Sequence, residues 1–455
     1  MDIIALIKQC IESLPQSSSP IAERKIVLAY SGGVDSEILA YGLAGFAKSH
    51  PQFCYQLVHV HHGLSANADS WAEHCQTQSA LYQLPCTVAK VSVKLAPRTS
   101  VEAQARSVRY EALLAQMQPA DILMTAHHQD DQLETVLLAL KRGLGPKGLA
   151  SMGRVQRFDS DKWLIRPLLD FSKHDVEAYA KAHAICHIED ESNFDEKYDR
   201  NFLRQSIIPQ LKQRWGAIAA TASRSAELCA MQQSVVDEEI AVRLPLVQQQ
   251  LAGDNTINLV ALSGYSKAWQ LLLLRGHMDE LGISPPSKVQ SEQIISQLME
   301  AKADANIEIK LSDVVIKRFK GAGYFLPTTP TVKPVAIAIS SIDHLYDPGI
   351  TYGDKQLLKA TLANNGVRLP LDGEKVTIEF ALPGSTRCQP QNRSKGRELK
   401  KLWQEYEVPP WVRGRVPLLC YNGKLVCAIG YWNEKAFTCQ EGKVGLIFPT
   451  VKPYC

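Results

Sequence analysis

Two rhythms of apolar residues alternate over the first half of the chain. Lys25-Ile26-Val27-Leu28-Ala29-Tyr30 is a short apolar run of strand character, after which Val34, Ile38, Leu39, Gly42, Leu43 and Phe46 share one face of a 3.6-period helix. The exchange recurs: Gln56 to Val60 precede a helix over about 66–82, Thr87 to Val91 precede a helix from Thr99 to about Met117, and Asp121 to Ala126 precede a helix carrying Leu137, Leu138 and Leu140. Thr99 with Glu102 three residues on reads as a capping box. Strands alternating with helices predict an α/β domain with a doubly wound, mostly parallel sheet, whose ligand crevice lies at the carboxyl ends of the strands. Ser31, His61, His62, His127 and Asp130 stand at such ends. Ahead of the first strand, Ile4, Ile7 and Ile11 predict an amphipathic helix beside the sheet.

Further on the rhythm changes. Trp163 to Leu169 precede a helix from Ser172 to His183, and the polar run Tyr198 to Arg204 starts a helix that ends near Trp215. From about 216 to 300 the pattern is helical, with Leu271 to Leu274 as core and a break at Gly282-Ile283-Ser284-Pro285-Pro286. A hairpin of Ile307–Leu311 and Val314–Phe319 follows, then Tyr324 to Leu326. Pro327 to Pro334 reads as a semi-rigid linker. Near the end, Val376, Ile378 and Phe380 alternate with polar residues, Leu399, Leu402, Trp403 and Tyr406 sit at helical spacing, and two runs flank Asn422-Gly423, a strong hairpin signal. Residues 335–368 carry no clear pattern. The predicted domains are therefore 1–215, a small mainly helical domain over 216–327, a linker over 328–345, and a small α+β domain over 346–455.

Composition narrows the class without naming a partner. At 455 residues the chain is too long for one core and suits two to four domains. Hydrophobic content of 45%, charged content of 21% and a net charge of +3 are those of an ordinary globular protein. The start Met1-Asp2-Ile3-Ile4 lacks a cationic stretch before a long apolar one, and no run approaches the ~20 residues of a membrane span. The expectation is a cytoplasmic protein with no membrane association and no evident protein partner. Eleven cysteines contain no Cys-x-x-Cys pair, so neither a zinc site nor a disulfide framework is suggested.

Chemistry concentrates in two places. Ser31-Gly32-Gly33-Val34-Asp35-Ser36 joins a strand to a helix, with two glycines and two hydroxyls at a helix N-terminus, where unpaired N–H groups and the dipole favour a phosphate. The lysine of ordinary NTPase loops is absent and Asp35 stands in the loop instead. A carboxylate beside phosphates makes sense with a hard cation such as Mg²⁺ between them. In Thr125 to Thr135, Asp131 and Glu134 are spaced i, i+3 and share a helix face, which also suits a plain N-cap with its partner. His127 reads as a pocket wall.

Arginines and a basic tail complete the set. Arg106 and Arg109 lie on adjacent turns of one helix, and Arg200 and Arg204 are spaced i, i+4; each pair suits phosphate or base contact, or a surface ion pair. In the tail, Arg397, Lys400, Lys401 and Arg413 belong to a basic cluster near Trp403, Tyr406 and Trp411, a nucleic-acid footprint or a solvated face. The aromatics at helical spacing read as core.

The motif SGGVDS resembles the PP-loop of the ATP pyrophosphatase superfamily. Together with His61 to Leu64, Glu102 to Tyr110, Thr125 to Thr135, Arg142-Gly143, Asp190 to Asn193, Asp199 to Asn201 and the Leu399 to Arg413 tail, it is similar to the long form of the tRNA(Ile)-lysidine synthetase family along the whole chain. His61-His62 departs from the family's Asn before the second His. The resemblance implies ATP as co-substrate with Mg²⁺, L-lysine and CAU-anticodon tRNA(Ile) as partners, and an adenylated tRNA intermediate. Asp35, Asp131, Glu134 and Arg200 would be catalytic, Ser31 to Ser36 would bind ATP, and Arg106, Arg109, His127, Arg204, Arg397, Lys400, Lys401 and Arg413 would bind substrate. A related enzyme that delivers sulfur, or a non-catalytic ATP- and tRNA-binding module, are the alternatives.

Overall fold

A computed structural model describes the chain except residues 16–23, 64, 93–100, 160, 190–194, 252–253, 302–306, 329–333, 353–355 and 449–455. It divides into two compact units, Met1–Asp237 and Glu238–Cys455. The expected Thr99 cap and the Asp190–Asn193 motif lie outside the described residues.

The first unit comprises α1 (Ile3–Glu12), β1 (Lys25–Ala29), α2 (Val34–Ser49), β2 (Cys54–His61), α3 (Ala68–Tyr82), β3 (Cys86–Lys90), α4 (Val101–Leu114), β4 (Ile122–Met124), α5 (Gln129–Lys141), a single turn α6 (Pro146–Leu149), β5 (Val155–Phe158), β6 (Lys162–Ile165) and α7 (Lys173–Ala182). The strands form one sheet in the order β3-β2-β1-β4-β6-β5. β1 runs parallel to β2 and β4, β2 to β3, and β4 to β6, while β5 closes the edge antiparallel to β6. In β1, Ile26 and Leu28 enter the core beneath α1 and α2, and Val27 enters the one built with Leu113 and Met117. Burial on both faces explains why the strand is an unbroken apolar run instead of an alternating one. The chain steps outward from β1 to β3 and then returns to lay β4 on the other side of β1. That reversal opens a crevice at the carboxyl ends of β1 and β4.

Local signals explain the helix starts. Asp2 caps α1 by accepting from Ala5 N–H at 3.0 Å, and Ser172 caps α7 in a capping box with Asp175. The buried face of α1 is Ile3, Ile7 and Cys10; of the expected Ile4, Ile7 and Ile11, Ile7 is fully buried and Ile11 packs partly buried against the core, while Ile4 is exposed. After α7 come α8 (Asp199–Phe202), a π-helical turn over Leu203–Ile207, α9 (Ile208–Arg214) and the long α10 (Ile218–Val247). No helix among the described residues is long and apolar enough to cross a membrane.

In the second unit, β7 (Gln248–Leu251), β8 (Asp254–Asn258), α11 (Leu259–Ser263), α12 (Lys267–Glu280), α13 (Lys288–Glu300), β9 (Glu308–Lys310), β10 (Val314–Phe319) and β11 (Ala322–Pro327) form a helical layer on an antiparallel sheet ordered β7-β8-β11-β10-β9. Leu273, Leu274, Ile294 and Leu298 pack there against Ile316 and Phe325. β7 and β8 escaped the reading of the sequence because Gln248, Gln249 and Gln250 and the Asp254-Asn255-Thr256 run carry no apolar alternation. The last part holds a sheet of Ile337–Ile339, Val376–Glu379, Leu418–Tyr421, Lys424–Ala428 and Trp432–Asn433, covered by the helix Leu399–Glu405. Asn422-Gly423 forms the expected turn between two of these strands. The patternless stretch 335–368 contributes Ile337–Ile339 and other strands of two or three residues, too short for a period to register.

Candidate active site

The glycine loop is held by its own hydroxyls. The chain leaves β1 through Tyr30, Ser31, Gly32 (φ +82°) and Gly33, and Gly33 is the N-cap of α2, whose first residues are Val34, Asp35 and Ser36. Ser36 Oγ accepts from the N–H groups of Ser31 at 3.2 Å and Gly32 at 3.1 Å and donates to Gly33 O at 3.0 Å, while Ser31 Oγ accepts from Gly33 N–H at 3.3 Å. Ile188 N–H donates to Gly32 O at 2.9 Å from the segment after α7. The first intrahelical bond is Glu37 N–H to Gly33 O. Val34, Asp35 and Ser36 therefore hold the first-turn N–H groups that a helix leaves without an intrahelical acceptor. Together with the dipole they make an anion seat at the carboxyl end of β1.

Beside this seat three carboxylates and one imidazole meet. His128 Nε2 is 3.9 Å from Asp35 Oδ1, and its Nδ1 is 3.5 Å from Asp131 Oδ2. The ring thus spans the gap between loop and helix. His128 is the N-cap of α5, and Asp131 Oδ2 accepts its N–H at 2.9 Å. The cap allowed by the i, i+3 spacing exists, but one turn earlier: Asp131 is the answering partner and Glu134 lies outside it. Arg204, presented by the π-helical turn, donates Nη2 to Asp131 Oδ1 at 2.8 Å and Nε to Glu134 Oε1. Single π turns are frequent at functional sites. Asp35 Oδ1 and Glu134 Oε2 are buried oxygens with no hydrogen-bond partner among the described residues.

Burial and like charge set the protonation here. Burial raises the Asp35 carboxyl, with Asp131 adding to the rise against His128. Burial also raises Glu134 despite the facing Arg204. Asp131 feels the same burial, yet His128, His127, Arg204 and the His128 N–H outweigh it and hold its carboxyl low. The two carboxyls on one helix face are thereby shifted in opposite directions while both are paired with Arg204.

His127 and the other arginines form the next shell of this crevice. Thr125 Oγ1 lies 2.9 Å from His127 Nδ1, and burial, with Arg166, Arg106 and Arg200 around it, lowers the imidazole to about 3. Arg200 also acts on Glu134. Arg106 lies over Tyr110, 5.0 Å from the ring centroid. Arg109 also acts on His59 of β2, adding to the burial that lowers its imidazole. Asp130 is occupied structurally, bound by Lys212 and by Lys173 N–H at 2.8 Å. The sequence reading missed Arg166, which is 4% exposed and donates to Gly153 O at 2.6 Å. Its signal was a charge inside the apolar run Trp163–Leu169.

In the second unit, Arg397, Lys400 and Lys401 of the tail are exposed and loosely paired. Arg397 Nε meets Glu405 at 2.8 Å, and Lys400 and Lys401 meet Glu398 at 3.4 and 3.7 Å. Arg413 is half-buried and donates Nε to Val408 O at 3.0 Å. Trp403 and Tyr406 pack on Trp432 with centroids 5.1 and 4.9 Å apart, and Trp411 packs on Tyr324 at 5.1 Å, so the aromatics are core.

Comparison with known proteins follows the same division. A PP-loop domain model matches residues 6–211, a TilS substrate binding domain model matches 258–324, and a TilS substrate C-terminal domain model matches 376–448. The chain is 54% identical to a tRNA(Ile)-lysidine synthase of Shewanella woodyi, over 93% of this chain and 92% of the relative. It is 49% identical to the one of Shewanella oneidensis over 99% of both, and 39% identical to the one of Pectobacterium atrosepticum over 92% of both.

Proposed function

This chain belongs to the tRNA(Ile)-lysidine synthase family, and on that premise we propose that it ligates free L-lysine to C2 of the wobble cytidine of CAU-anticodon tRNA(Ile), through a tRNA adenylated by ATP. The observation that carries the reading is the His128 imidazole, 3.9 Å from Asp35 beside the phosphate seat and 3.5 Å from Asp131 of the carboxylate pair. A seat for ATP and a seat for an amine thus adjoin.

The first step needs the α-phosphate exposed to the C2 oxygen and charge on the departing pyrophosphate stabilised. First-turn N–H groups of α2 hold the phosphates of ATP. Asp35 fits as a ligand for Mg²⁺, since its Oδ1 is a buried carboxylate oxygen that accepts no hydrogen bond among the described residues and this ion commonly binds through one or two carboxylates plus phosphates. When bound, Mg²⁺ supplies positive charge to the pyrophosphate. Arg200 lies in the electrostatic field of His127 and Glu134 and suits contact with the reacting nucleotide.

The second step needs a neutral amine. A lysine ammonium with a pKa of about 10.4 is protonated near neutrality, so the site must attract the cation and then take a proton from it. Asp131, held ionised, suits the first task, and Glu134, raised by burial, suits the second. AMP leaves as the C–N bond forms.

Residues 1–215 would carry this chemistry, while 216–327 and 346–455, joined by 328–345, would bind tRNA. The test is a nucleoside digest of tRNA(Ile) after incubation with ATP and labelled lysine. In a staged assay, Asp35→Asn should lose pyrophosphate release, whereas Glu134→Gln should form adenylated tRNA yet convert it slowly when lysine is added. Wild-type conversion of the trapped intermediate by both Asp131→Asn and Glu134→Gln would move the amine site elsewhere.

A further inference from the structure

Arg204 occupies the position a cationic substrate must reach. Resting on the assignment of Asp131 and Glu134 to lysine, we infer that Arg204 is a resident cation that keeps this pair closed to lysine until a nucleotide phosphate draws the guanidinium away, so that lysine binding is coupled to nucleotide binding.

The acceptors show why the pair is closed. Asp131 spends Oδ2 on the His128 N–H and Oδ1 on Arg204 Nη2, and Glu134 spends Oε1 on Arg204 Nε. Glu134 Oε2 has no hydrogen-bond partner among the described residues, and it is buried. Because the guanidinium bridges the two carboxylates, an ammonium held between them has to displace at least one of its arms. Leaving the carboxylates with no cation is costly, because a buried charge stripped of its partner keeps its desolvation penalty. The exchange becomes favourable when one cation leaves as another enters.

The phosphate seat offers Arg204 a second partner. Asp131, which Arg204 grips, is linked to the glycine loop by the His128 ring, 3.5 Å from Asp131 and 3.9 Å from Asp35, so the guanidinium and the phosphate seat belong to one crevice. The Arg204 side chain is 37% exposed and comes from the π-helical turn, so it is not locked in the core. A guanidinium fork binds phosphate oxygens as readily as carboxylates. Phosphate at the loop then pulls Arg204 toward it, and the lysine ammonium replaces it on the pair. Each ligand favours the other, and the coupling is reciprocal.

Lysine affinity of the full-length protein, measured by calorimetry with and without α,β-methylene-ATP and Mg²⁺, tests this. Wild type should bind lysine at least tenfold tighter with the analogue, and the analogue should tighten by the same factor when lysine is present. Arg204→Gln should bind lysine tighter than wild type in the absence of nucleotide and respond to the analogue by less than twofold. Arg204→Lys, which keeps the charge without the fork, should lose most of the coupling. Wild-type affinities within twofold of one another, full coupling in Arg204→Lys, or loss of lysine binding by Arg204→Gln in both states would each overturn the inference. If Arg204→Gln fails a thermal-melt check for folding, the wild-type titrations alone still decide. Failure of the underlying site assignment is distinct: lysine would then bind Asp131→Asn and Glu134→Gln as it binds wild type.

Discussion

Adjacent glycines in the phosphate loop should respond very unequally to the same added methyl group. Gly32 has φ +82°, and a Cβ there would lie 2.9 Å from Ile188 Cδ1 and 3.0 Å from Cys75 Sγ. The left-handed backbone costs an alanine about 1–2 kcal/mol, and forcing a methyl into a filled space costs about 1–3 kcal/mol more. Gly32→Ala should therefore destabilise the first unit by about 2–5 kcal/mol. For a unit of this size each kcal/mol lowers Tm by about 2–4 °C, so the melt should fall by roughly 4–20 °C. Gly33 is already extended, with φ −72° and ψ 161°. Its nearest neighbour to an added Cβ is Ser31 Oγ at 3.5 Å, an ordinary contact. Gly33→Ala should melt within about 1 kcal/mol of wild type, since a compatible Gly→Ala change mainly restricts the unfolded chain. Differential scanning calorimetry with and without ATP, alongside pyrophosphate release, separates fold from function. ATP should rescue little of the Gly32→Ala loss, because the strained residue shapes the seat itself. Equal melting temperatures for the two variants would refute the reasoning.

Replacing Arg397, Lys400 and Lys401 with Ala should weaken tRNA binding and lower the slope of log K against log salt by up to about 2–3, because their ion pairs with Glu398 and Glu405 are exposed and readily exchanged for phosphates; filter binding across a salt series would expose an unchanged slope, which would place the docking surface elsewhere. Acid should destabilise the fold through two histidines, half-buried His127 and fully buried His277: desolvation lowers the first to about 3 and the second to about 4, both below the ordinary value of about 6.5. The unfolded chain then binds protons that the fold refuses, so stability falls as pH drops below about 6.5 and continues to fall until each folded value is reached, by at most about 1.4 kcal/mol per unit for each histidine. Urea titrations from pH 7 to 5 should show this fall, and a shallower one in His277→Gln. Alkylation at pH 8 should modify the exposed Cys54 and Cys186 quickly and leave Cys388 and Cys427 untouched in the folded protein, since burial pushes the latter thiols up to about 12; rapid labelling of Cys427, followed by peptide mass spectrometry, would contradict its burial.

The first unit was legible because its elements are periodic and its motifs sit at joints. An apolar run ending in Ser31-Gly32-Gly33 can hardly be anything but a strand entering a helix, and four such exchanges specify a doubly wound sheet. Legibility failed where ladders rather than side chains define the strand. Gln248 to Gln250 pair with Asn255, Thr256 and Ile257 through backbone hydrogen bonds, and polar residues on such a hairpin leave no alternation to read. One residue of the α1 face was misplaced for a related reason: with isoleucine at 3, 4, 7 and 11, two stripes compete, and the buried one runs through Ile3, Ile7 and Cys10 with Ile11 partly buried and Ile4 exposed.

The candidate site divides along the same line. The glycines, Asp35, Asp131 and Glu134 announce themselves because each lies in a short segment whose spacing carries the signal. What turns them into a site is tertiary. Arg204 reaches Asp131 across 73 positions and Glu134 across 70, and nothing local in Leu203-Arg204-Gln205 says which anions it will meet. The spacing of Arg200 and Arg204 suggested that they act alike, yet the π turn that begins at Leu203 breaks the helical register between them. Arg204 enters the carboxylate pair, while Arg200 acts on His127 and Glu134. The opposite shifts of Asp131 and Glu134 are likewise invisible in one dimension, because they depend on which oxygen the His128 N–H and the guanidinium happen to face. A sequence reading can thus find the charged groups of such a crevice, but the pairing that shifts one carboxyl down and the other up exists only after folding.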